Sequence, residues 1–292
     1  MPGTSQVLRD GRVPLRDGRT LAYATWGDPR GRPLLRIHGT PGSRFGRHPD
    51  AGLYTRIAAH VVTFDRPGYG ESSAHRARTL QSVADDALEL VNALGWDRFS
   101  VLGGSGGGPH ALALGLRAPE RILRLGIVGG AAPDELVGDT DLTELNREGR
   151  RRARQGRASL EAFMAGPAKQ MMADPAGMMA AAMKDAPDID RRMLQRPEVQ
   201  AVLVEQLREG FRHGPAGWFD DAWVLTREWG FDLEAVRVPV WVWHGELDRT
   251  SPLTAARQMA AQLRAQSFKV VPGQGHLCAI TEEEDILGTL LT

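Results

Sequence analysis

The stretch FSVLGGSGGGPHALALGL, Phe99 to Leu116, runs from a short apolar segment through a glycine cluster into a second apolar segment of helical spacing. Phe99 to Leu102 reads as a strand. Ala111, Leu112, Leu114 and Leu116 read as the following helix, with Pro109 tolerated in its first turn. Between them Gly103-Gly104-Ser105-Gly106-Gly107 matches G-x-S-x-G, which holds a serine on a sharp turn between strand and helix. With 34 glycines in 292 residues, ten serines give only about 0.14 matches by accident. A phosphate loop would need the G-x-G-x-x-G spacing, which fails at Pro109, or a following Gly-Lys-Ser/Thr, which is absent.

Outward from this turn, Thr20 to Trp26, Leu34 to Ile37, Val61 to Phe64, Leu123 to Val128, Val238 to Trp243 and Phe268 to Val271 read as further strands. Leu80, Val83, Ala87, Val91 and Leu94 recur at helical spacing and stop at Gly95, a C-terminal cap. Ser251 reads as a helix cap with Pro252 at the first helical position and Leu253, Ala256, Met259 and Leu263 on one face. Such alternation predicts an α/β fold with a mostly parallel sheet, functional groups lying on loops at the strands' C-terminal ends. Residues 133–235 have no clear strand and are rich in helix formers, which predicts a helical insertion. Within it Met164, Met171, Met172, Met178, Met179 and Met183, with Phe163, Phe211, Trp218, Phe219 and Trp223, fit either a ligand lining or the insertion's own core. The arginine run Gly149 to Arg157 reads as a solvated helix face.

Composition excludes several classes. At 42% apolar and 25% charged, the chain has the balance of an ordinary globule. Thirty-six basic and thirty-six acidic residues leave no field to draw in nucleic acid or an anionic membrane. A single cysteine, Cys278, and a start without an apolar run predict a cytoplasmic protein.

A serine hydroxyl needs a base and an orienting carboxylate to become a nucleophile. His276, in Gly273-Gln274-Gly275-His276 beyond one strand, and Asp248, in His244-Gly245-Glu246-Leu247-Asp248 beyond another, supply them in the order Ser, Asp, His. The amide of Gly106 and that of Thr40, in His38-Gly39-Thr40-Pro41-Gly42, are the candidate oxyanion donors, with Pro41 suited to a cis bond and His38 to propping the loop. His48, His60, His75 and His213 lack strand-end context, and His110 reads as structural. With no H-E-x-x-H and no cysteine pair, neither a metal nor a cofactor is expected, and Cys278 reads as a small packed hydrophobe.

Taken together, these motifs resemble the α/β-hydrolase superfamily: an HGxP loop at His38 to Pro41, a DxxGxGxS segment at Asp65 to Ser72, the GxSxG elbow, HGxxD and GxGH, in that order. The resemblance covers residues 12–132 and 236–292. It implies an eight-stranded sheet flanked by helices, with a core of residues 1–132 and 236–292 and a helical cap, residues 133–235, inserted after strand 6. It also implies that Asp65 is a turn residue, and it makes Asp134 an alternative acid to Asp248. A serine at the elbow, where related epoxide hydrolases and dehalogenases carry aspartate, points to acyl transfer. The expected function is therefore hydrolysis of a carboxylic ester or thioester of a small, hydrophobic molecule, with Ser105, Asp248 and His276 catalytic. Alternatives are a prolyl aminopeptidase-like peptidase using Glu205 and Glu209, a non-hydrolytic ligand binder, or a lyase.

Overall fold

A computed structural model describes residues 9–50, 52–138, 142–182 and 184–292. Met183 and the first eight residues, on which two of the expectations above touch, lie outside them. Eight strands form one sheet: β1 (Arg9–Pro14), β2 (Thr20–Gly27), β3 (Arg32–Ile37), β4 (Ala59–Phe64), β5 (Phe99–Gly104), β6 (Ile122–Val128), β7 (Val240–Gly245) and β8 (Ser267–Val271). Their order is β1-β2-β4-β3-β5-β6-β7-β8. β2 pairs antiparallel with both β1 and β4, and all other neighbours are parallel.

Helices cover both faces of the sheet. Between strands lie α1 (Leu53–Arg56), α2 (Leu80–Ala93) and α3 (Gly107–Arg117). After β6 come α4 (Glu144–Gln155), α5 (Arg157–Ala173), α6 (Pro175–Ala182), α7 (Asp188–Leu194), α8 (Pro197–Gly210) and α9 (Ala216–Leu225), with no strand among the described residues before β7. α10 (Leu253–Gln262) and α11 (Cys278–Leu290) complete the chain. Leu35, Val101 and Ile127 pack with residues of α2, α3 and α10, whereas Leu34, Leu102 and Val128 pack with α1 and α11. Successive residues of one strand point to opposite faces, so burial of both faces requires the unbroken apolar runs seen in the sequence. Each such Leu or Val contributes about 1.5–3 kcal/mol when fully buried.

Local signals set the ends. Thr79 and Ser82 form a reciprocal capping box at the start of α2, and Gly95, at φ +73°, follows its end. One expectation needs correction, and one strand was missed. α10 begins at Leu253 with Pro252 in the cap place and no side-chain cap. Ser251 belongs instead to the turn after β7, where its amide donates to Asp248 Oδ1 at 3.0 Å and its carbonyl accepts from His244 Nε2 at 2.8 Å. β1 was not foreseen at all: Val13 is its one buried residue, and an exposed antiparallel edge carries no apolar period.

Candidate active site

Glycines are required on either side of Ser105 because the backbone there is crowded. A Cβ on Gly103 would lie 2.6 Å from the Gly107 carbonyl, and one on Gly107 would lie 2.7 Å from that of His38. Ser105 has φ +51°, a left-handed conformation that costs an L-residue about 1 kcal/mol and lifts its hydroxyl clear of β5 and α3.

Parallel strands bring the remaining groups to the same end of the sheet. His276 follows β8, and its Nε2 lies 3.1 Å from Ser105 Oγ. Its Nδ1 lies 2.8 Å from Asp248 Oδ2, beyond β7. With Nδ1–H donated to the carboxylate, Nε2 is left as the acceptor that faces the serine. Asp248 is buried, and its other oxygen accepts from the amides of Thr250 and Ser251. Burial would raise the Asp248 carboxyl, but His276, His244 and these hydrogen bonds hold it below the usual carboxylate range. Burial would likewise lower His276, yet the charges of Asp248 and Asp190 and the Asp248 hydrogen bond hold it above the usual imidazole value. Asp134 is engaged elsewhere, paired with Arg150 and Arg154.

Thr40 and Gly106 lie against one another: a Cβ at Gly106 would be 2.8 Å from that of Thr40. Neither amide donates a hydrogen bond among the described residues. The Thr40-Pro41 bond is cis. His38 is buried and props this loop, with Nδ1 2.7 Å from the Gly39 carbonyl and Nε2 accepting from the Arg66 amide at 3.3 Å. Burial and the Arg66 charge push His38 well below the usual imidazole value, so it is neutral at pH 7.

A family model described as the alpha/beta hydrolase fold matches residues 32–283. The chain belongs to that family. A bifunctional esterase/perhydrolase of Acinetobacter calcoaceticus is 25% identical over 287 residues, 96% of this chain and 98% of the relative. A proline iminopeptidase of Xylella fastidiosa is 35% identical, but over 120 residues that make up 39% of this chain and 37% of the peptidase. Among solved structures, a thermophilic esterase from Thermogutta terrifontis superposes with a TM-score of 0.69 at 23% identity, over 97% of this chain and 100% of the esterase.

Two residues of this α/β-hydrolase that sequence reasoning passed over tie the helices after β6 to the site. Asp190, buried on α7, accepts from the amides of His276 at 2.8 Å and Leu277 at 3.1 Å. A Cβ on Gly275 would collide with its carboxylate. Asp221, fully buried on α9, accepts from Thr40 Oγ1 and the Tyr69 hydroxyl at 2.8 Å each, and from Arg66 and Arg78. Arg66 in turn donates to the carbonyls of His38 and Gly39 and to Thr40 Oγ1. Burial would raise Asp221, but the two guanidiniums hold it far below the usual carboxylate range. The one visible signal was Asp220-Asp221 amid the aromatics Trp218, Phe219 and Trp223.

The other candidates are distributed as their partners dictate. Asp65 accepts from the amides of Arg44 and Glu71 and pairs with the buried Arg44 guanidinium, a turn role. Glu209 is buried against Arg44 and Arg212 rather than on a solvated face, and Glu205 pairs with Arg47. Met171 and Met178 pack with Leu207 and Phe211 in the core of the helical segment, Met172 is exposed, and Met164 and Phe163 line a cavity that reaches Ser105. Arg147, Arg151 and Arg152 on α4 pair with Glu144 and Glu148. Cys278 is buried, and burial pushes its thiol up to about 12. Among the described residues no cluster of metal-ligating side chains occurs, and no helix is long and apolar enough to cross a membrane.

Proposed function

We propose that this chain is a serine hydrolase that cleaves a carboxylic ester or thioester through an acyl-enzyme. The observation that carries the reading is the hydrogen-bonded chain from Ser105 Oγ through His276 to Asp248. As Ser105 Oγ attacks the carbonyl carbon, its proton passes to His276 Nε2, and the carbonyl oxygen becomes an oxyanion that accepts from the amides of Thr40 and Gly106. Collapse expels the leaving oxygen or sulfur with the proton from His276. Water, activated by the same imidazole, then releases the acid and restores Ser105. Asp248 fixes the tautomer and stabilises the imidazolium. Residues 133–235 form the cap in this reading, since α7 reaches the His276 loop and α9 the Thr40 loop. The buried lone thiol fits a cytoplasmic setting.

Local likeness to proline iminopeptidases favours a second reading as a peptidase. Against it, the Glu205 and Glu209 carboxylates, which would have to bind a substrate's amino terminus, are already paired with arginines.

Labelling by a fluorophosphonate, followed by kinetics on short p-nitrophenyl esters and on proline p-nitroanilide, tests both. Ser105→Ala is expected to abolish labelling, and Ser105→Ala and His276→Ala to lower kcat by about 10⁴ to 10⁶. Asp248→Asn should cost about 10⁴, and Asp134→Asn little. A wild-type chain that refuses the probe sinks the hydrolase reading, and a preference for the proline amide replaces the esterase with the peptidase.

A further inference from the structure

Two cavities meet at Ser105, and they differ in which of their polar side chains are already engaged. One, about 210 Å³, opens on the side of Thr40 and Gly106, and its wall is formed by Leu145, Leu160, Phe163, Met164, Trp218 and Leu225 beside Arg150, Asn146 and Thr226, whose polar groups are engaged with Asp134 and the carbonyls of Thr250 and Ala222. The other, about 160 Å³, opens on the side of His276 and Leu277, and its wall carries Arg47 and Gln206 beside Val199 and Val202. Arg47 is only 7% exposed. Its terminal nitrogens go to Glu205 and the Phe45 carbonyl, but its buried Nε has no partner among the described residues. The Gln206 side chain likewise makes no hydrogen bond among them.

Proton transfer decides which half of an ester enters which cavity. The leaving oxygen takes its proton from His276 Nε2 and must lie beside it, so the alcohol arm extends into the cavity that His276 lines. The acyl arm, on the other side of the carbonyl carbon, is left with the cavity beside Thr40 and Gly106. An apolar cavity of about 150 Å³ accommodates benzene, so the acyl side accepts a phenyl-sized group. The alcohol side offers the unengaged Gln206 amide to a group that can hydrogen-bond. Resting on the acyl-transfer reading above, we propose that the substrate class is an ester of an apolar, phenyl-sized acid with a short alcohol arm that carries a hydrogen-bonding group.

Two isomeric esters test this with the full chain: 2-hydroxyethyl phenylacetate, which places each arm as proposed, and 2-phenylethyl glycolate, which exchanges them. The first is expected to have kcat/KM at least about tenfold higher, although the glycolate carbonyl is the more electrophilic. An equal or reversed preference overturns the assignment. Leu145→Trp, at a partly exposed position, fills the acyl side and is expected to bring the ratio toward one; Phe163→Ala enlarges it and should favour naphthylacetyl over phenylacetyl. Unchanged acyl selectivity in both variants also overturns it. If Ser105 takes a fluorophosphonate label but neither isomer is hydrolysed, the substrate class fails while the hydrolase reading stands. If the label is refused, the failure lies in the reading beneath.

Discussion

His276 is held by three carboxylate oxygens from two directions: Asp248 on its ring, and both oxygens of Asp190 on its own amide and that of Leu277. Both negative charges favour the imidazolium, which is why the ring titrates above its usual value despite burial. In the proposed mechanism the neutral ring is the form that accepts the serine proton. The acid limb of kcat/KM should therefore fall away as pH drops through a midpoint above 6.5, rather than at the value of a free imidazole. Asp190→Asn removes one charge and leaves one of the two amides facing an N–H₂. Its midpoint is expected to move to lower pH, and kcat to fall about tenfold, some 1.4 kcal/mol, with KM changing less. An Asp190→Asn variant whose pH profile overlays that of the native chain would reduce this residue to packing. Asp190 had no signature in the sequence, since its partners lie 86 and 87 positions away and no local period marks a carboxylate that bonds a distant backbone. Ser105, Asp248 and His276 could be singled out in the sequence because they follow β5, β7 and β8 at one end of a mostly parallel sheet.

Among the elements, α9 has the largest consequence for its length. Ten residues carry Asp221 to the base of the Thr40 loop, where it neutralises part of the charge of two guanidiniums that are wholly buried. The arrangement is stable only while complete, because removal of one partner from a buried ionic network leaves the others unpaired, at about 3–5 kcal/mol. Asp221→Asn is accordingly expected to lower stability by about that amount, read as a reduced urea midpoint at unchanged m-value. A loss below about 1 kcal/mol would mean that Arg66 and Arg78 find other acceptors. β2 to β7 were read from the chain because burial writes apolar runs into them, and β8, an edge with only Val271 buried, because Phe268, Val270 and Val271 still mark it. β1 was not, because in this exposed edge Val13 stands alone among charged residues and leaves no apolar run. The helices after β6 were legible as helical from composition, but not how they pack. α7 and α9 are fixed by single buried acids whose partners are set by tertiary geometry, whereas α10 starts two residues past Ser251 because Asp248 claims the Ser251 amide.

At the scale of the whole molecule, buried histidines set the pH range of the fold. Burial lowers His38, His110 and His244 below 6.5, His110 to about 3, and partial burial lowers His60. Between the folded and unfolded values the unfolded chain binds a proton that the folded chain refuses, so stability rises with pH there and is lost as pH falls below about 6.5. His276 has the opposite sign. Held above 6.5, its contribution is complete below the unfolded value and fades as pH rises through the folded one. The two trends place the stability maximum near neutrality. His38 and His110 alone give a slope of about 3 kcal/mol per pH unit on the acid side, at about 1.4 kcal/mol per proton. Against a total of about 5–15 kcal/mol, such a slope is expected to weaken the fold on the acid side before most carboxylates are protonated. Urea midpoints measured from pH 7.5 down to 4.5 should therefore fall with an uptake of about two protons or more on unfolding, and His110→Gln should remove about one of them. An uptake below one proton would mean that these rings are charged within the fold, and the neutral His38 that props the Thr40 loop would have to be abandoned with them.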